Sequence, residues 1–169
     1  MKSELTDLEF LAKGNRGIVY KGIWKGQPVA VKTKNPESTA QNRIENEANF
    51  LKILNPYGIG PRLLDFDGER LILEFIEGER IHDYFEKHSK KEILIVVKKI
   101  LEQAQKMDEL GINKLELTRP YKDLLIRNGE PVLLDFERCK KTIRPKNVRQ
   151  FEQFLRSTKV KALLLAKEL

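Results

Sequence analysis

The stretch Val132-Leu133-Leu134-Asp135-Phe136-Glu137-Arg138-Cys139 indicates the fold most directly. Three apolar residues run straight into Asp135, and the chain beyond Glu137 is strongly basic. A buried strand that ends on a carboxylate presents a hard oxygen ligand, the kind that Mg²⁺ prefers in phosphate sites. Because apolar strands that end in aspartate are common, this interpretation needs a second signal.

The second signal lies upstream, where two glycines precede an apolar strand that ends in lysine. The glycines are Gly14 and Gly17 in Gly14-Asn15-Arg16-Gly17-Ile18-Val19, and the strand is Val29-Ala30-Val31-Lys32. Glycine permits close backbone approach to phosphate oxygens, and the lysine supplies a cation for them. Taken alone, such glycines are also typical of a hairpin and such a lysine of an exposed strand end.

Composition is that of a globular protein with a densely ionic surface, since 40% of the residues are hydrophobic and 34% are charged. No apolar run reaches the roughly 18 residues that a membrane span requires, and no signal peptide is expected. The single cysteine, Cys139, excludes an internal disulfide and favours a cytoplasmic location.

The net charge of +7 is concentrated at the end of the chain. Residues 138–169 hold 10 of the 32 Lys and Arg residues but only 2 of the 25 acids. Such a segment attracts polyanions, so an RNA or an acidic protein is a possible partner, and a solvated basic helix pair is the alternative.

Local patterns predict strands in the first half of the chain, around one helix. The strands are expected at 18–24, 28–32, 62–66 and 70–75, and residues 3–11 suit a short helix or a first strand. A capping box at Ser38–Gln41 opens a helix to Leu54, whose apolar face is Ile44, Ala48, Leu51 and Leu54.

Helices dominate the predicted second half. A short helix is expected over 81–85, and the capping box Ser89–Glu92 opens the longest helix, which ends near Gly111. Two short strands, 124–127 and 132–134, flank Asn128-Gly129, a strong hairpin signal. Terminal helices are expected over 147–156 and 160–169.

The glycine loop, the strand lysine and the Asp-Phe motif, in this order, resemble the protein-kinase fold. The resemblance covers roughly residues 10–156 and is greatest to minimal atypical kinases: the RIO group, the kinase subunit of the KEOPS complex and small predicted archaeal Ser/Thr kinases. It implies a single α+β domain of two lobes over residues 1–169. An antiparallel β N-lobe with one helix would span about 1–75, a hinge 74–78, and a reduced, mainly helical C-lobe 79–169.

The resemblance also implies a nucleotide site. Lys32 would contact the α/β-phosphates, and Glu47 would hold Lys32, because Leu51 completes a kinase-like Glu-x-x-x-Leu turn. Glu45 is the alternative, but it lies about 200° from Glu47 on a helix, so both cannot face the lysine. The residues assigned to ATP binding are Gly14, Gly17, Val19, Ala30, Lys32, Glu74, Ile76 and Leu125.

The catalytic loop departs from the kinase His-Arg-Asp pattern, and two alignments compete. Counting back from Asp123 places Thr118 at the base position, whereas matching Glu116-Leu117 to Asp-Leu retains a carboxylate. We favour Glu116 as the base or orienter and Asp123 with Asp135 as the Mg²⁺ ligands. The kinase histidine is missing, and Lys114 is not expected to replace it.

The sequence thus predicts an ATP- and Mg²⁺-dependent Ser/Thr protein kinase, with Lys32, Glu47, Glu116 and Asp135 as the catalytic set. The sequence does not identify the protein substrate, and the prediction includes autophosphorylation, in which the chain itself is the substrate. Glu137 replaces the glycine of Asp-Phe-Gly, and only 32 residues follow it. These departures support the alternative of a pseudokinase or slow ATPase that serves as an assembly factor for an RNA-, ribosome- or tRNA-related partner.

Overall fold

The computed structural model describes residues 4–13, 17–37 and 43–167, with the Thr158 side chain excepted. Gly14 and the predicted capping box at Ser38–Gln41 lie outside these residues. The chain divides into two compact units. The N-terminal unit comprises residues 1–75 with 136–138, and the C-terminal unit comprises 76–135 with 139–169.

A five-stranded antiparallel sheet forms the body of the N-terminal unit, in the order β1-β2-β3-β5-β4. Its strands are β1 (Leu5–Lys13), β2 (Gly17–Trp24), β3 (Gln27–Lys34), β4 (Leu63–Phe66) and β5 (Arg70–Glu74). Residues 5–13 are therefore a strand, not the alternative helix. Lys25 and Gly26 both have positive φ (49° and 78°), as a tight hairpin turn between β2 and β3 requires.

The two faces of β3 have different roles. Val29 and Val31 pack with Ile72 in a buried cluster on one face. Because side chains alternate along a strand, Ala30 and Lys32 lie on the opposite face. Val19 is the cross-strand partner of Lys32, so the pairing brings Val19 to that face too. The alternation of side chains along the strands therefore places three of the residues assigned to ATP binding, Val19, Ala30 and Lys32, on the same face of the sheet.

Helix α1 (Arg43–Leu54) is the one described helix of more than one turn in the N-terminal unit. The predicted apolar face is confirmed, since Ile44, Ala48, Leu51 and Leu54 are buried. Phe136 is also fully buried, and it belongs to this unit. A Cβ atom at Gly60 (φ +82°) would lie 2.6 Å from Leu51 Cδ2 and 3.1 Å from Phe136 Cε2, so this packing requires glycine.

Four helices form about half of the C-terminal unit: α2 (Ile81–Lys87), α3 (Lys90–Glu109), α4 (Asn147–Leu155) and α5 (Thr158–Leu165). The predicted capping box of the longest helix is confirmed, because Glu92 N donates to Ser89 Oγ and Ser89 N to the Glu92 carboxylate. The inward stripe of α3 consists of Ile93, Val96, Val97, Ile100, Ala104 and Met107.

Short strands complete this unit. They form one sheet of β6 (Glu79–Arg80), β8 (Leu124–Arg127) and β9 (Glu130–Leu133), and a pair of β7 (Ile112–Asn113) with β10 (Lys140–Lys141). The predicted hairpin at Asn128-Gly129 is confirmed by positive φ at both residues (51° and 77°). Its second strand begins at Glu130, earlier than predicted; Pro131 is accommodated because β9 is an edge strand.

The architecture is α+β, built on an antiparallel sheet and several helices. Within the described residues, no helix combines the length and apolar character needed to cross a membrane. The last helix runs from Thr158 to Leu165, somewhat before the predicted 160–169. The two-residue strands β6, β7 and β10 were not predicted, because segments of that length have no periodicity.

Candidate functional site

A buried ion pair links β3 to α1 in the N-terminal unit. Lys32 Nζ lies 2.8 Å and 3.0 Å from the two carboxylate oxygens of Glu47. The Glu47 side chain is 1% exposed and that of Lys32 20% exposed. Glu45 is exposed on the outer side of the helix, so of the two acids considered, Glu47 is the one that reaches the lysine.

Gly17 has the structural role in a hairpin that the sequence analysis gave as the alternative to phosphate binding. A Cβ atom at this position would lie 2.9 Å from the carbonyl oxygen of Thr33 on the neighbouring strand. That approach is closer than a side chain tolerates, so the pairing of β2 with β3 itself requires glycine here. Gly17, Val19, Ala30 and Lys32 thus belong to one hairpin of the sheet.

The segment predicted as a hinge falls partly in each unit. Glu74 ends β5, where its N–H donates to Arg62 O (2.9 Å) and its carboxylate accepts from Arg62 N (3.0 Å). Ile76 is buried in the C-terminal unit, and Leu125 lies half-buried on β8 of the same unit. Residues 75–78 form neither helix nor strand.

Three acidic side chains meet in the C-terminal unit: Glu116, Asp123 and Asp135. One carboxylate oxygen from each lies within 4.8 Å of the other two. Asp123 immediately precedes β8, and Asp135 follows β9, so the two strands of one hairpin bring these residues together. This is the grouping expected if Glu116, and not Thr118, belongs with the two aspartates.

The backbone at two members of this carboxylate cluster is left-handed. Leu115, Glu116 and Asp135 have φ values of 67°, 66° and 66°. For residues with a Cβ atom, this conformation costs about 1–2 kcal/mol each. It persists only where the surrounding structure imposes it, and such strain is concentrated at functional sites.

The charges around Asp123 disfavour its ionised form. Burial, with a smaller contribution from the Asp135 and Glu116 carboxylates, raises the pKa of Asp123 to about 6 against the opposing effect of the Lys114 ammonium. Lys114 is fully buried. Three acids against one cation leave a net negative cluster that a divalent cation would neutralise.

The donor set fits Mg²⁺. An octahedral Mg²⁺ site takes oxygen ligands at about 2.0–2.1 Å, which places neighbouring oxygens about 3 Å and opposite oxygens about 4 Å apart. The measured spread of the carboxylate oxygens, within 4.8 Å, is compatible with that geometry after small side-chain movements.

A buried asparagine that the sequence analysis did not single out holds the chain leading to the cluster. Asn147, at the start of α4 and fully buried, accepts from Lys114 N (2.9 Å) and donates to Ile112 O (2.6 Å). Its own N–H and side-chain amide donate to Asp108 Oδ1 (2.9 Å and 2.8 Å). Asn113 Oδ1 accepts from Lys146 N (3.0 Å) beside it. These bonds fix the backbone immediately before Glu116.

Thr118 lines a surface cavity of this unit together with polar residues of α4 and its flanks. The predicted Asp-Phe-Glu motif is divided between the units, with Asp135 in the C-terminal one and Phe136 and Glu137 in the N-terminal one. There, Asn46 Nδ2 donates to Glu137 O at 2.9 Å.

His88, which directly follows α2, is closely surrounded by other side chains. It stacks on Tyr84, with ring centroids 3.8 Å apart, and its ring nitrogens lie 3.0 Å from Glu79 and 3.1 Å from Glu92. Hydrogen bonds with Glu79 and then Glu92 raise the pKa of His88. Cys139 is buried and forms no disulfide, as expected for a single cysteine.

Comparisons with known proteins place this geometry in context. No family model matches the chain. The probable serine/threonine-protein kinase gdt2 of Dictyostelium discoideum is 32% identical over 116 residues, which are 59% of this chain and 7% of that protein. The KEOPS complex subunit Bud32 of Pyrococcus abyssi is 30% identical over 99 residues, which are 57% of this chain and 44% of the subunit.

A third relative is an uncharacterised protein of Methanocaldococcus jannaschii, 35% identical over 75 residues, or 44% of this chain and 64% of that protein. The chain thus spans less than two thirds of each of these relatives. One of the three is named as a probable serine/threonine-protein kinase, and another as a subunit of the KEOPS complex. The chain is a minimal kinase-like protein.

Proposed function

We propose that this chain is a minimal Ser/Thr protein kinase that uses ATP and Mg²⁺. The observation that carries the proposal is the cluster of Glu116, Asp123 and Asp135, whose oxygens lie within 4.8 Å of one another. Phosphoryl transfer needs oxygen ligands for the metal, a cation on the phosphates and a group that orients the nucleophile. In this proposal the N-terminal unit is the N-lobe of a kinase and the C-terminal unit a reduced C-lobe.

Lys32 and Glu47 supply the cation and its support. The buried Glu47 carboxylate fixes the Lys32 ammonium, which is the more exposed partner and therefore the one able to contact a ligand. Val19 and Ala30 share its face of the sheet and would pack against the adenine. Glu74, Ile76 and Leu125 complete the set of residues assigned to the nucleotide. Gly17 is required by the pairing of β2 with β3, and Gly14 is assigned from the sequence motif alone.

Glu116 acts on the acceptor. The hydroxyl oxygen of a Ser or Thr attacks the γ-phosphorus, the bond from that phosphorus to the β,γ-bridging oxygen breaks, and ADP leaves. The hydroxyl proton passes to the Glu116 carboxylate. The left-handed backbone at Glu116 and the Asn147 hydrogen bonds hold this carboxylate in place.

Asp123 and Asp135 would hold the metal. When bound, Mg²⁺ would supply positive charge that offsets the negative charge of the phosphates. Because ionised Asp123 is disfavoured by burial, its tendency to take up a proton competes with metal binding in mildly acidic solution. A cytoplasmic location, for which the single cysteine is the supporting observation, completes the proposal.

The test measures γ-labelled phosphate transfer and ATP affinity in matched variants. We expect Glu116→Gln to lower transfer roughly a hundredfold while ATP affinity is unchanged. Asp135→Ala should weaken Mg²⁺-dependent ATP binding about tenfold, or about 1.4 kcal/mol, and Asp123→Ala should raise the Mg²⁺ requirement. Glu109→Gln makes the same chemical change at an exposed site and is the control.

Wild-type ATP affinity in Asp135→Ala would contradict the kinase proposal. A silent Glu116→Gln variant combined with an inactive Thr118→Ala variant would assign the orienting role to Thr118. The ATP titrations test the nucleotide site, and the transfer assays test the alignment of the catalytic loop. The two claims are therefore tested separately.

A second candidate is an ATP-binding assembly factor without appreciable transfer. It is favoured by the similarity to Bud32, a subunit of the KEOPS complex, and by the missing loop histidine. Its partner, an RNA or an acidic protein, would bind through residues 138–169. Nucleotide binding that depends on Asp135, with no transfer to any added protein, would support this candidate over the first.

A further inference from the structure

The cavity beside Thr118 is distinct from the carboxylate cluster. It has a volume of about 320 Å³ and lies wholly within the C-terminal unit. Its lining residues are Thr118, Lys146, Arg149, Gln150, Glu152, Gln153 and Arg156. None of them is part of the proposed machinery for ATP or Mg²⁺.

The amphipathic character of α4 explains why these residues line one cavity. Phe151 and Phe154 are buried on the inward side of the helix. Lys146, Arg149 and Arg156 are exposed, and at spacings of three and seven residues they lie along one outward stripe. The helix and its two flanking residues thereby place three cations in the lining of the cavity that also contains Thr118.

The charge of the lining suits a doubly charged anion. Three cations face one acid, Glu152, which lies 3.9 Å from Arg156 Nη1. A phosphomonoester carries about −1.5 to −2 at neutral pH. Arginine binds such groups through two parallel N–H donors, so Arg149 and Arg156 are matched to phosphate in geometry as well as in charge.

The end of this cavity that Thr118 lines is close along the chain to Glu116, beside which the acceptor is proposed to lie. Thr118 follows Glu116 by two residues, so their Cα atoms are at most about 7 Å apart. That is the span of two residues of an extended peptide. We propose that the cavity binds the phosphate of a phosphorylated Ser or Thr in the polypeptide substrate, two or three residues from the acceptor hydroxyl.

The position of the acceptor hydroxyl in this proposal rests on the proposed kinase function. The contact between the cavity and the phosphate does not depend on it. A nucleic acid is the less suitable occupant. The lining contains no aromatic side chain on which a base could stack. A phosphodiester carries one charge instead of two, and Glu152 would repel a strand that continued past the cavity.

The experiment measures fluorescence anisotropy without ATP, so that it is independent of catalysis. Three short labelled peptides contain one Thr and, two residues away, phosphoserine, glutamate or serine. We expect the phosphoserine peptide to bind at least about tenfold more tightly than the serine peptide. The Arg149→Ala/Arg156→Ala variant should lose this preference, and the single Arg149→Gln variant should lose part of it.

Arg144→Ala removes the same charge from the same basic segment but outside the cavity, so it should retain the preference. Equal binding of the three peptides would overturn the proposal, as would a preference that survives in the double variant. An RNA oligonucleotide that binds more tightly than the phosphopeptide, and competes with it, would also overturn it. Failure of transfer with intact phosphopeptide binding would instead contradict the kinase function alone.

Discussion

The ion pair between Lys32 and Glu47 allows a quantitative prediction, because its partners differ in exposure. The Lys32→Met variant leaves the Glu47 carboxylate, 1% exposed, without its cation. Removing one partner of a buried pair costs about 3–5 kcal/mol. The lower end applies here because Lys32 is 20% exposed, so we expect a loss of about 3 kcal/mol.

Protonation of Glu47 limits this loss and makes it depend on pH. The free-energy cost of protonating an ordinary glutamate is about 3.7 kcal/mol at pH 7 and about 1 kcal/mol at pH 5. A carboxyl that binds its proton more tightly in the folded state gives stability at low pH that is lost as pH rises. The deficit of Lys32→Met should therefore shrink from about 3 to about 1 kcal/mol between pH 7 and pH 5.

Glu47→Gln should be milder. The amide still accepts a hydrogen bond, and the partly exposed Lys32 ammonium still reaches water, so the expected loss is about 1–2 kcal/mol. Glu45→Gln, on the exposed side of the same helix, should stay within about 0.5 kcal/mol of the wild type.

The assay is urea unfolding followed by the fluorescence of Trp24, the only tryptophan. Trp24 packs against Val29, Val31 and Ile72, so it reports on the unit that contains the ion pair. With a slope of about 1.5 kcal/mol per M, a 3 kcal/mol loss lowers the midpoint by about 2 M. Equal losses in Lys32→Met and Glu47→Gln, or a deficit that is the same at pH 5 and pH 7, would refute the reasoning.

Two further predictions concern the C-terminal unit. Asn147→Ala should lower the free energy of unfolding by about 3 kcal/mol, because several buried backbone groups lose their partners together; a loss below about 1 kcal/mol would show that the hydrogen bonds do not hold the loop. His88, whose pKa is raised by Glu79 and Glu92, should contribute up to about 1 kcal/mol, fully present below pH 6.5 and lost as pH rises through its folded-state pKa. Thermal melts between pH 5.5 and 8.5 should show this loss of stability in the wild type but not in His88→Gln. If the loss persists in His88→Gln, His88 is not its source. His82→Gln is the control.

The N-terminal unit was predictable where local patterns determine the contacts. Alternation in Val29-Ala30-Val31-Lys32 separates the lysine from the apolar face, and helical spacing distinguishes Glu47 from Glu45. Both patterns involve few neighbouring residues. The roles proposed for these residues in ATP binding remain predictions.

The C-terminal unit was less predictable because its site depends on contacts between distant residues. The hydrogen bonds of Asn147 join it to residues more than 30 positions earlier in the chain, and no local pattern indicates them. The left-handed backbone at Leu115 and Glu116 occurs without a glycine that would have signalled it. The cavity on α4 appeared in the sequence only as an excess of positive charge.

The burial of Phe136 in the N-terminal unit has a consequence for synthesis on the ribosome. Residues 136–138 belong to that unit, yet they are translated roughly 60 residues after Phe75, a delay of roughly 3–12 s at ordinary elongation rates. During this interval the nascent sheet and α1 lack the aromatic ring that packs at Gly60, and apolar surface stays exposed. A fragment that ends at Phe75 would keep that defect permanently, so we expect it to bind chaperones and aggregate when expressed without residues 136–138.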